Sequence, residues 1–94
     1  MDVITFAAQH GIAVDYFPMQ AKGFCLKDEG QYFIAVNADL PNSEKLDVIL
    51  HELGHIMTNS VYTESVSDSE RIRKEQNANN WATANRGRFT ASQI

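Results

Sequence analysis

The chain has 94 residues, of which 44% are hydrophobic, and a formal net charge of −4. That length supports one modest core and excludes two ordinary domains. Twelve acidic against eight basic residues exclude a broad positive surface for nucleic acid or an anionic membrane. The one cysteine, Cys25, excludes an intrachain disulfide framework and fits a reducing, cytoplasmic setting.

No apolar run approaches the roughly twenty residues of a membrane-spanning helix; the longest covers residues 32–36. The N-terminus opens on Asp2 without a basic region, so a secretory signal is not expected. The expectation is one soluble, cytoplasmic domain over residues 1–94, with a core over about 1–86 and a tail over 87–94.

Residues 1–10 read as a short amphipathic helix with Val3, Ile4, Phe6, Ala7 and His10 towards one side, and Gly11 stands where a left-handed cap would. The β-branched and aromatic run 12–17, stopped by Pro18, reads as a strand. Residues 23–27 and 31–37 form two more strand-like segments around a three-residue turn, Asp28-Glu29-Gly30. In 31–37 both faces carry apolar side chains, which predicts helices on one side and partial cover on the other.

Pro41-Asn42-Ser43-Glu44 starts the strongest helix, with Asn42 or Ser43 as N-cap and Glu44 in the positive first turn. Leu46, Ile49, Leu50, Leu53, Ile56 and Met57 carry it at helical spacing to about Thr58. Residues 59–69 are polar and serine-rich, a connection. The last helix covers about 70–85, with Ile72, Ala78, Trp81 and Ala82 on its apolar side, and Gly87 ends it. Residues 88–94 show no pattern. This order predicts an α+β domain in which helices cover one face of a small three-stranded antiparallel sheet.

Inside the strongest helix lies His51-Glu52-Leu53-Gly54-His55. Side chains four apart share a helical face, so both imidazoles reach one ion. Glu52 follows His51 by about 100° of turn, beside the ion's open position, where it can take a proton from water. Neutral imidazole is a preferred zinc ligand. Shuffled chains of this composition give the pattern on the order of once in one or two hundred, and here it falls on a helix, embedded in apolar residues.

A catalytic zinc shell takes three protein ligands and a water, so a third ligand is required. Glu64, Asp68, Glu70 and Glu75 are the candidates. Glu64 and Asp68 read as solvated loop charges, and Glu70 as a helix-start charge. Glu75 shares a face with Ala78 and Ala82, small residues that allow close helix packing, and a carboxylate buried there needs a cation. Glu75 is therefore favoured. His10 reads as structural, Cys25 as a small packed hydrophobe, Trp81 as a core anchor, and Arg71, Arg73 and Lys74 as a solvated face.

His51-Glu52-Leu53-Gly54-His55 followed by Glu75-Gln76-Asn77-Ala78-Asn79-Asn80-Trp81-Ala82 resembles the ImmA/IrrE group of metallopeptidases. In that group a helical HExxH precedes a helix carrying E-x-x-A-x-x-[FW]-A, and the His55-to-Glu75 spacing is similar to that of thermolysin-like zinc peptidases. The lead-in over residues 32–40 is also similar, so the resemblance covers about 23–82. It implies a minimal zinc endopeptidase fold with His51, His55 and Glu75 as metal ligands and Glu52 as general base. It also implies a protein or peptide substrate, such as a helix-turn-helix repressor. The chain departs from the group after the last helix, where residues 83–89 replace a Leu-Leu/Ile-x-Pro-like segment; a minimal version or a fragment of the fold is expected.

The leading reading is a zinc-dependent endopeptidase, with manganese as the other candidate metal, no direct nucleic-acid contact and no membrane. An extended substrate would pair along residues 31–37, and Tyr62 is a candidate oxyanion stabiliser or a structural tyrosine. The alternatives are a metal-bound regulatory binding module with little proteolytic activity and a structural zinc domain. Only three good ligands beside a free Glu argue against the last.

Overall fold

The computed structural model describes residues 2–61, 67–91 and 94. Its elements run α1 (Val3–Gln9), β1 (Ile12–Phe17), β2 (Gly23–Asp28), β3 (Gln31–Asn37), α2 (Asn42–Met57) and α3 (Asp68–Asn85), then a 3₁₀ turn over Arg86–Arg88. Among the described residues no helix is long and apolar enough to cross a membrane.

The α+β expectation holds, but the sheet is mixed rather than antiparallel. The strand order is β1-β3-β2, with β1 parallel to β3 and β2 antiparallel to it. The strand with apolar residues on both faces takes the middle, where Ile34, Ala35 and Val36 are all buried. Residues 18–22 must then cross the C-terminal end of β3, and Asn37 holds them there. Its Nδ2 donates to the Met19 and Ala21 carbonyls at 3.0 and 3.2 Å, and its backbone N–H donates to Lys22 at 2.8 Å. With both edges of β3 occupied, residues 31–37 offer no place for an added strand, and the sheet's outer edges are those of β1 and β2.

The β2–β3 hairpin is one residue tighter than the sequence suggests. Asp28 pairs with Gln31, so the loop is Glu29-Gly30, with φ of +50° and +82°. Two left-handed residues match the twist of the flanking strands.

Alternation divides the sheet into two faces. Ile12, Val14 and Tyr16 of β1, Ile34 and Val36 of β3 and Cys25 of β2 pack towards Val3, Phe6 and Ala7 of α1 and Leu46, Ile49, Leu50 and Leu53 of α2. The tail, patternless in sequence, adds Phe89 to this core, edge-on to Phe6 at 5.5 Å between ring centres. Trp81 is half-buried beside the same Phe6 ring, as a core anchor should be.

The helix ends differ in part from what the local signals predict. Asp2 caps α1, its Oδ1 accepting from the Thr5 N–H at 2.7 Å. Pro41, not Asn42 or Ser43, is the α2 N-cap, with no side-chain bond, so both polar residues lie within the first turn. Ser67 accepts from the Glu70 N–H, and α3 therefore starts at Asp68, two residues before the expected position.

α2 and α3 pack backbone to backbone. A Cβ added to Gly54 would lie 2.9 Å from Ala78 Cα, so the Gly of the His-Glu-Leu-Gly-His motif is required for this approach. Gly54→Ala is expected to destabilise the fold by about 1–3 kcal/mol through overpacking, read as a lower urea midpoint at unchanged m-value.

Candidate metal centre

Two i, i+4 pairs meet across that packed contact. His51 and His55 lie three before and one after Gly54, and Glu75 and Asn79 lie three before and one after Ala78. The geometry brings His51, His55 and Glu75 together, each offering one ligand atom, all within 4.8 Å of one another. Glu75 Oε1 is 3.2 Å from His51 Nε2, and Oε2 is 2.8 Å from His55 Nε2. The two Nε2 atoms are 3.2 Å apart. Two nitrogens each about 2.0–2.1 Å from one tetrahedral ion lie roughly 3.3 Å apart, so the spacing fits a shared cation.

The other ring nitrogens have partners of their own. His51 Nδ1 is 2.8 Å from Asn79 Oδ1, and His55 Nδ1 is 2.9 Å from the Ser60 carbonyl. Both partners can accept, so with a metal on Nε2 each ring would donate its Nδ1–H to them. Two ring nitrogens and a carboxylate converging at this range suit a positive charge between them. The donor set fits a divalent metal.

Local chain geometry builds the His55 partner. α2 ends in a Schellman motif: the Ser60 N–H donates to His55 O at 2.7 Å and the Asn59 N–H to Ile56 O at 3.1 Å, with Asn59 left-handed at φ +54°. The reversal lays the Ser60 carbonyl against His55, whose side chain is only 4% exposed. Glu75 differs from the sequence expectation here. Its side chain is 41% exposed at the rim of the cleft, so it meets the imidazoles from the solvent side.

Asp68 and Glu70 stay in the first turn of α3, where they face its positive end. Among the described residues, His51, His55 and Glu75 form the one cluster able to hold a metal. Glu64 and Tyr62 lie outside the described residues. Lys74 is not simply a solvated charge, since its Nζ donates to the Val61 carbonyl at 3.1 Å and ties α3 to the end of α2. His10 is structural: Nδ1 bonds the Phe6 carbonyl at 3.0 Å.

A hollow of about 240 Å³ opens beside the three donors, walled by Gly23, Phe24 and Cys25 of β2 and by Glu52 of α2. A second, of about 490 Å³, lies on the other side of His51 between α2 and α3, with Asp47 and Arg86 at its rim, paired at 2.8 Å. Glu52 thus faces the same space as the donor triad. Cys25, expected to be a packed hydrophobe, packs against the core and also borders this space. Burial and the neighbouring Glu52 carboxylate push its thiol up to about 12.

A family model for the IrrE N-terminal-like domain, a peptidase domain, matches residues 7–86. The chain belongs to this family. No curated protein and no solved structure gives a significant match. The family match spans both helices that carry the donors and extends beyond the expected residues 23–82 to take in β1 and the end of α3.

Asn79 and Cys25 escaped the sequence reading. Asn79 was detectable, because it stands four residues after Glu75 and so on the same face. Cys25 was not, because nothing local says which strand borders the helix.

Two outcomes follow from this geometry. Asn79→Ala should weaken metal binding by about 10- to 100-fold, measured by competition with a chromogenic chelator. A thiol whose neutral form is favoured alkylates slowly at pH 8. Cys25 should therefore react with iodoacetamide well below the rate of a free thiol, and Glu52→Gln, by removing the adjacent anion, should speed it.

Proposed function

We propose that this chain is a zinc-dependent endopeptidase in which His51, His55 and Glu75 hold the metal and Glu52 is the general base. The reading rests on one observation, the convergence of three donor groups with Glu52 on the wall of the same hollow. Membership of a peptidase family supports it. Two neutral nitrogens and one carboxylate oxygen suit zinc and leave a coordination position open.

When bound, zinc supplies a positive charge that polarises a substrate carbonyl and acidifies water. Glu52 would take the proton of the attacking water and return it to the leaving amine. Asn79 and the Ser60 carbonyl hold the two rings in place throughout. The substrate would be an extended peptide segment added to the free edge of β2, the strand bordering the hollow. We take the protein partner to be a helix-turn-helix repressor, on the resemblance to the ImmA/IrrE group alone.

Glu52→Gln tests this. It should keep about one zinc per chain by atomic absorption and lose about 10²- to 10⁴-fold in cleavage rate. A Glu52→Gln chain with full biological activity would sink the peptidase reading and favour a metal-bound binding module.

A further inference from the structure

β2 is an edge strand with an unusual surface. Cys25 packs on the helix-side core, so by alternation Phe24 and Leu26 stand on the opposite face of the sheet, and Phe24 also borders the hollow. The core lies on the helix side of the sheet, and these two side chains remain 45% and 40% exposed. Free edges are commonly guarded by charge, and here the charges, Lys27 and Asp28, come only at the far end of the strand. Phe24, at the hollow, and Leu26, two residues on, are large and apolar instead.

The register shows what a fourth strand would meet. Phe24 stands beside Ala35 and Leu26 beside Phe33, whose ring lies 6.2 Å from that of Phe17. A strand added to the outer edge of β2 extends these rows, bringing its own alternate side chains within about 4.5–5.5 Å of Phe24 and Leu26. The side chains between them fall on the Cys25 face, towards Glu52 and the donors. One strand thus separates substrate positions that are read from positions presented to the chemistry.

We propose that Phe24 and Leu26 are specificity-determining residues, and that the substrate is an extended segment with apolar residues at every second position next to the cut site. This rests on the peptidase reading of the hollow, with which the row of side chains is continuous. The two apolar contacts account for about a three- to tenfold preference over a segment of the same composition in another order.

The test uses two fluorescent ten-residue peptides of equal composition, one alternating Thr and Val and one with Thr and Val in pairs. Binding is read by anisotropy on the zinc-loaded Glu52→Gln protein, and cleavage on the zinc-loaded unaltered protein. The alternating peptide should bind about three- to tenfold tighter. The double substitution Phe24→Thr with Leu26→Thr, which keeps strand propensity, should erase that preference at unchanged zinc stoichiometry. Phe17→Thr, on the far edge, should preserve it. Equal binding of the two peptides, binding of neither, or a preference that survives the double substitution overturns the proposal. So does a dimer in sedimentation that the double substitution dissolves, since the face then belongs to a second copy. Cleavage without preference overturns the proposal and leaves the peptidase reading standing; preference without cleavage by the unaltered protein overturns the peptidase reading and leaves a peptide-reading edge.

Discussion

The direct contact between the backbones of α2 and α3 at Gly54 and Ala78 is the constraint on which the site depends. It sets how far Glu75 stands from the two imidazoles, because each donor lies within one turn of the contact point on its own helix. Side chains four apart on one helix are local geometry and come with the helix itself. Bringing two such pairs face to face is not local. It requires a helix surface without a Cβ at the crossing, since one methyl group there would push the carboxylate out of reach.

The surroundings of the donors are as consequential as the donors. Both ring partners, the Asn79 amide and the Ser60 carbonyl, are uncharged. The donor set therefore holds one carboxylate, that of Glu75, and a divalent ion held there would keep a net positive charge. A carboxylate in place of Asn79 would orient His51 equally well while drawing down that charge. Glu52, on the α2 side, and Cys25, on β2, face each other across the hollow, and the anion of one helps keep the other protonated.

What the sequence conveyed follows the range of each interaction. The His51–His55 pair and its helix were legible because spacing within a helix is fixed by the helix. Glu75 was legible through Ala78 and Ala82, whose small size betrayed a packed face, although its exposure at the rim was not. Strand positions were legible, but their order was not: apolar residues on both faces of β3 announced a covered strand without saying that β1 and β2 would take its two edges. That order rests on Asn37 gripping the connector over residues 18–22, a tertiary contact with no local pattern. The tail failed for the same reason. Phe89 is buried by packing against Phe6, more than eighty residues earlier in the chain.

The placement of β3 has a consequence for how the protein emerges from the ribosome. The middle strand is the last of the three to be translated, and the residue that clasps the connector is the final one of that strand. A nascent chain that has reached the hairpin tip holds two strands with no ladder between them and a connector with nothing to grip. Residues 31–37 must then enter between segments already made, so neither ladder of the sheet can form before they are translated. α2 follows β3 directly in the chain and packs on the face that β3 completes.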